Sequence, residues 1–466
     1  NSALIIAPDD IWALTNKGIA LQSLSKLQAK LSEFEAAKQS YFEAIAAYNS
    51  ALIIAPDDIW ALTNKGIALQ SLSELQAGLS EFEAAKQSYF EALAAYNSAL
   101  FIVPDDINAL KSKGNLLQSL GELQGRLNEF EAAKQSYSEA IAAFNSALII
   151  APDDSIMLNT KGIALQSLSE LQAGLSEFEA AKQSYSEAIA AFNSALIIAP
   201  DDSRLLHNKG NALRTLGKLQ AKLSEFEAAK QSYSDALAAY NSVLHIAPDD
   251  YYALKNKGIA LLKLGELQAK LSKFEAAEQS YFDAIAAYNS ALIIAPDDNY
   301  ALNNKGYALQ SLGDLQAQLS EFEGAKQSYF DAIATYNSAL LIAPDDYLIL
   351  SIKGYALQSL GDLQAELSEF EGAKQSYFDA IAAFNSALII APDEIYALNN
   401  KGIALQSLGN LQEKLVDRQE ALKNWQEALE MFNRYLAIAP NNDWVRNMRD
   451  LLQEYLDNLG EDTVSS

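Results

Sequence analysis

Six asparagines stand at multiples of 48 residues from one another: Asn16, Asn64, Asn208, Asn256, Asn304 and Asn400. A carboxamide carries donor and acceptor groups on one short side chain. A ladder of them suits pairing with the backbone of an extended polypeptide, whatever its sequence. Four positions before an asparagine of this series come Trp12, Trp60, Tyr252, Tyr300 and Tyr396. Three positions after the same place come Asn115, Asn211, Tyr307 and Tyr355. Aromatic residues give a large contact area at low entropy cost and recur as interface anchors. Lys111, Arg204, Arg214, Lys255 and Lys263 add positive charge to the middle of an otherwise acidic chain, which favours an acidic segment as ligand. Catalysis has little to draw on. His207 and His245 are the only histidines and cysteine is absent. No P-loop, nucleophile elbow or metal-ligand cluster appears. The recurrent Asp-Asp pairs do not form the 12-residue loop that holds calcium and read as helix caps. The expectation is a non-enzyme with no cofactor and no metal.

The elements that position these residues follow from the period. All ten prolines, from Pro8 to Pro440, are 48 apart, and so are nine glycines from Gly18 to Gly402. The stretch SEFEAAKQSY at 32–41 returns unchanged at 80–89, 176–185 and 224–233. A fixed period of this size marks an array in which each unit contacts mainly its neighbours. Half of the residues are hydrophobic, ample for a continuous core. A formal charge of −26 argues against nucleic acid and anionic membrane surfaces. No apolar run approaches the ~20 residues of a membrane span.

Within residues 9–56, Leu14, Leu21, Leu24, Leu27 and Leu31 recur at helical spacing, and a second series runs Phe34, Ala37, Tyr41, Ala44, Ile45, Tyr48, Leu52. Pro56 closes the second helix, and Asp57-Asp58 opens the next as cap and favourable charge. The pattern Ser32-Glu33-Phe34-Glu35 has the S-x-x-E spacing of a capping box. It places a first helix at about 10–31 and a second at about 33–54, each roughly 33 Å long.

Leu14, Gly18 and Leu21, followed by Ala44, Tyr48, Ala51 and Pro56, resemble the tetratricopeptide repeat (TPR). The unit departs from the usual 34 residues by 14, close to two extra turns in each helix. The resemblance implies an all-α fold: a right-handed superhelical solenoid of antiparallel helix pairs, with the first helices lining the concave side. Residues 1–8 match the end of an upstream repeat, residues 9–440 make nine repeats, residues 441–459 a polar capping helix and residues 460–466 a flexible tail. In that family the places of Trp12, Thr15, Asn16 and Ile19 point into the groove. Variation between the repeats concentrates there while the second helix stays nearly constant. The asparagine series resembles the ladder in the TPR superhelix of the O-linked N-acetylglucosamine transferases. Lys111 and Asn115 match two places of the carboxylate clamp of chaperone-tail adaptors, and Arg204 supplies a third basic place. The clamp is incomplete, because Thr160 and Asn208 replace two of its residues.

Lys17 has a counterpart in every repeat, to Lys401. That regularity reads as structural, with the stem packed near the glycine and the ammonium at the surface. The leading function is a non-catalytic scaffold that binds an extended, acidic polypeptide in the groove. The alternative is a self-associating spacer or fibre subunit stacking head to tail. The cytoplasm is slightly preferred, with secretion left open.

Overall fold

The computed structural model describes residues 9–464, with side chains as far as residue 458. Nineteen helices and no strand make up the described residues. Ile11–Lys30 (α1) and Phe34–Ile54 (α2) set a pattern of paired helices. It continues to Ile395–Lys414 (α17) and Arg418–Ile438 (α18), followed by Asp443–Val464 (α19). The chain divides into two compact units, one ending at Ser242 and the other beginning at Val243. Each is an all-α solenoid in which consecutive helices pack antiparallel. The match of residues 1–8 to a repeat end lies outside the described residues.

The aspartates open the first helices. Asp58 is extended, and its Oδ1 accepts from the Ala61 N–H at 2.9 Å. Asp106, Asp250 and Asp298 do the same, and Glu394 takes the role before α17. Each cap satisfies one backbone donor that the helix leaves free.

The second helices start differently from the capping box. Ser32 has φ +62°, and the cap residue of α2 is Glu33, which makes no side-chain cap bond. The serine instead ends α1. The Glu33 N–H donates to the Gln28 carbonyl at 2.9 Å and the Ser32 N–H to the Ala29 carbonyl at 3.1 Å. This paired closure is the Schellman arrangement, whose left-handed residue is usually glycine. The same left-handed place is filled by Ser80, Asn128, Ser176, Ser224, Ser272, Ser320, Ser368 and Val416. A β-branched residue is the least suited to it. Val416→Gly is therefore expected to stabilise the last pair by about 1 kcal/mol. A melting midpoint unchanged or lowered would contradict this origin of strain.

Small residues bring the paired helices together. A Cβ on Gly66 would lie 2.5 Å from the Tyr96 ring, and one on Gly162 would lie 2.5 Å from the Phe192 ring. Both rings are fully buried. On the second helix Ala37, Ala44 and Ala51, seven apart, are also fully buried. The SEFEAAKQSY segment joins one repeat to the next. Lys38 pairs with Glu81 at 2.7 Å, Lys86 with Glu129, Lys134 with Glu177, Lys182 with Glu225 and, in the second unit, Lys326 with Glu369. Ser40 donates to Gln28 at 2.8 Å, tying the second helix back to the first. One repeat inverts the charges, with Lys273 and Glu278 at the places held by glutamate and lysine in the other repeats before the last.

Successive first helices approach one another within each unit, and no successive second helices do so to a comparable extent. The second helices are thus separated by grooves whose floor is the back of a first helix. Helix α19 closes the second unit. Val445 and Leu452 are buried in one core cluster with Trp425, Met431 and Phe432. The helix runs to Val464, past the end expected at 459, because Gly460 is not followed by a proline and only lowers helix propensity.

Candidate functional site

The first helices carry the variable residues on one exposed face. Trp12 is 75% exposed, Tyr252 63%, and Trp60, Tyr300 and Tyr396 are also exposed. Their apolar neighbours at Leu14, Leu62 and Leu302 turn into the core. The aromatic side chains are therefore held on rigid helices without being needed to fill space.

Within the first unit, Lys111 Nζ lies 3.6 Å from Asp154 Oδ2, the cap of the next first helix. Arg204 pairs with Asp202 at 3.1 Å and remains largely exposed. Asn208 Nδ2 donates to Asn159 Oδ1 at 2.9 Å, and Asn211 Oδ1 accepts from Tyr240 OH at 2.8 Å. Asn64 Nδ2 donates to the Trp60 carbonyl at 2.8 Å, one turn back. Asn16 is exposed, and Asn115 half-buried. Lys111 and Asn115 occupy clamp places, but Thr160 spends its hydroxyl on the Ile156 carbonyl at 2.9 Å.

The second unit is richer in tyrosine. Lys255 Nζ stands 4.8 Å from the Tyr251 ring centroid and 5.4 Å from those of Tyr252 and Tyr300. Asp298 Oδ2 is 3.8 Å away. Lys263 lies over Tyr307 at 5.5 Å and pairs with Glu266 at 2.7 Å. Tyr355 and Tyr396 sit 6.4 Å apart, centroid to centroid. Asn304 and Asn400 each donate to the carbonyl of the aromatic residue one turn back. Asn256 occupies the corresponding half-buried place. Asn64, Asn304 and Asn400 thus donate within their own helix, and Asn208 donates to the neighbouring first helix.

The second unit also carries carboxylates bonded to tyrosines, Asp314 half-buried and Asp362 exposed. Asp314 accepts from Tyr329 OH at 2.7 Å, and Asp362 from Tyr377 OH at 2.6 Å. In the next repeat Asn410 accepts from Trp425 Nε1 at 3.0 Å. Burial pushes the Asp314 carboxyl up to about 6, against the ordinary 3.8, with the Tyr329 bond opposing it. Ionising it in the fold is therefore unfavourable, and the stability present below pH 3.8 is lost as the pH rises through about 6. Asp314→Asn, the residue type the chain already uses at 410, is expected to stabilise the protein at pH 7 by about 1–3 kcal/mol. The difference from the parent should vanish towards pH 4, which paired denaturation curves would test. A constant difference at all pH values would refute the assignment.

A second feature was not anticipated. Between second helices of the second unit lies a groove of about 320 Å³, lined by Ile333, Asn337, Leu350, Lys353, Asp379 and Ser386, with Ala382 and Ala383 in its wall. Lys353 belongs to the strict lysine series. Among the described residues no metal-binding group of His, Asp or Glu occurs, and no helix is long and apolar enough to cross a membrane.

Residues 214–281 match the family described as tetratricopeptide repeat. Residues 354–454 match the family described as plant-specific mitochondrial import receptor subunit TOM20. No curated protein sequence matches the chain. Among solved structures, BtubC (BKLC) from P. vanneervenii is 18% identical over 55% of this chain and 90% of its own, with a TM-score of 0.42. The S. pombe nuclear import adaptor Nro1 is 11% identical over 61% and 95%, at 0.45. A tetratricopeptide repeat protein from Parabacteroides merdae is 14% identical over 73% and 99%, at 0.36. At such scores none of these three informs function.

Proposed function

The chain is a tetratricopeptide-repeat protein with a lengthened, 48-residue unit, and on that premise we propose that it is a non-catalytic scaffold whose first-helix face binds an extended polypeptide. TPR repeats support a protein-interaction scaffold in general. The finer reading concerns this face. The single observation that carries it is the row of exposed aromatic side chains on rigid first helices, at the places where the repeats differ most. Exposed aromatic side chains that recur along one face supply the kind of anchor that concentrates binding energy. The asparagines flank these rings, and their carboxamides can exchange an intrahelical bond for one to a ligand backbone. The basic residues near them favour acidic segments. Lys111 and Lys255 are already paired with cap aspartates, so their selectivity is modest and screened by salt.

The test compares binding to a peptide array by the parent, by N208A/N256A/N304A, and by K111A/R204A/K255A. The asparagine variant is expected to lose affinity across many sequences. The basic-residue variant is expected to lose it only for acidic peptides, with a shallower salt dependence. If both variants keep native helicity and melting yet bind as the parent does, the face is not the binding site.

A further inference from the structure

The opposite side of the array, formed by the second helices, carries its own repeated surface. In seven repeats an apolar knob projects from the end of the second helix: Ile53, Phe101, Ile149 and Ile197 in the first unit, Ile293, Leu341 and Ile389 in the second, while His245 takes the place in the fifth repeat. The apolar knobs are all 80–89% exposed. One turn before each knob, a serine and an asparagine are exposed, and one turn before those an alanine, as in Ala382, Asn385 and Ser386. In the groove described above, Leu350 and Leu357 form an apolar floor and Ile333 part of one wall, with Lys353 among the lining residues. Lys353 makes no ion pair among the described residues, and Asp379 across the groove is exposed. The same residue types recur in the other repeats, for example Lys161, Glu187, Ala190, Ala191 and Ser194.

The last repeat keeps the asparagine, the lysine and the carboxylate of this pattern, as Asn433, Lys401 and Glu427, but changes the rest. Glu430 and Met431 replace the two alanines, Arg434 replaces the serine, and Ala437 replaces the knob. Met431 is buried, Arg434 donates to the Pro392 carbonyl at 2.9 Å, and Lys401 is buried against Glu427 at 2.7 Å. The fold thus does not need the open groove or the exposed knob. One repeat fills the first, removes the second and pairs the lysine.

We propose that this second-helix face is a lateral self-association surface, on which the knobs of a second copy of this chain seat in the grooves between second helices. Three features favour a second copy over another partner. Knobs and grooves share the 48-residue period, so within each unit the spacing of the knobs equals the spacing of the grooves that would receive them on a second copy. The face balances one lysine with one exposed carboxylate per repeat, so that a copy related by a twofold axis brings each acid to a groove lysine. The exposed asparagines are likewise self-complementary, donor to acceptor. The area is adequate. Each knob offers apolar surface on the order of 100 Å², and a standard interface needs roughly 800 Å² per partner. The neighbouring alanine, serine and asparagine surfaces supply the remainder. The chain's net charge of −26 opposes contact, and salt, which screens that repulsion, should strengthen the association.

The experiment measures the mass of the full chain by sedimentation across a wide concentration range. The parent is expected to rise reversibly from 50.7 kDa to at least twice that, more readily at high salt. Two variants follow. I149Q/I197Q/L341Q/I389Q removes knobs. A190E/A191M/S194R/A382E/A383M/S386R copies the last repeat into two grooves. Both should stay at 50.7 kDa with native helicity, and both should retain any peptide binding by the first-helix face. A parent that is monomeric throughout would leave the face to a partner of different sequence and overturn the proposal. So would folded variants that associate like the parent, or an association that salt dissolves. None of these outcomes bears on the first-helix face, whose test uses different residues.

Discussion

Phe192→Ala should destabilise its repeat by about 3–5 kcal/mol. The ring is fully buried, and its edge fills the space where Gly162 lacks a side chain. The contact can be attacked from the other side. Gly162→Ala places a methyl group 2.5 Å from that ring, a distance carbon atoms do not tolerate. Overpacking of this kind costs about 1–3 kcal/mol. The two changes touch the same atoms, so they should not add. In the double variant the methyl enters the space the ring left, and its cost should be smaller than the sum of the single costs. Urea denaturation of the four proteins closes the cycle. Additive costs would mean that ring and glycine do not share one contact. In an array the damage should stay local, so hydrogen exchange should rise in residues 155–198 before it rises in distant repeats.

Ending the chain at Pro440 is expected to have the second large effect. It removes α19, and with it Val445 and Leu452, both buried, and the partly buried Met448 and Leu456. At about 1.5–3 kcal/mol for each well-buried apolar side chain, the loss is on the order of 5 kcal/mol. Part of that is already absent in a compact unfolded state. Trp425 also loses its edge contact with Tyr455, at 5.1 Å. The truncated protein should melt earlier and associate through the uncovered face. A truncated chain that remains monomeric with an unchanged melting midpoint would show that α19 does not act as a cap.

The helix pairs were legible because prolines, glycines and apolar residues all keep one phase, and each marks a different constraint. The aspartate caps were legible for the same reason. Ser32 was misread because S-x-x-E is also the pattern of a capping box. Only its backbone angle shows that it ends one helix instead of starting the next. The chain did contain a signal: Asn128 suits a left-handed residue, and Val416 cannot cap anything. The exposed aromatic row was legible from variation among the repeats. The second-helix groove was passed over because constancy suggested scaffold. The telling contrast was the exchange of Ala382, Ala383 and Ser386 types for Glu430, Met431 and Arg434 in the final repeat. The half-buried Asp314 could not be found in this way, since burial of a carboxylate depends on the packing of its neighbours.

The packing described above also bears on how the chain reaches its native state. Within each unit a helix touches its own partner and the adjoining pair, and nothing farther away. Such short loops close quickly, so folding can begin in any repeat and spread to both sides. The hazard is that neighbours are nearly interchangeable. A second helix that has just formed meets several first helices with almost the same surface, and docking on the wrong one would trap the chain. The inverted charges of Lys273 and Glu278 make one repeat recognisably different from the rest. By the pairing seen in the other repeats, Lys273 stands at the place opposite Lys230 and Glu278 at the place opposite Glu321, so folding should spread less readily across these two junctions than across the others.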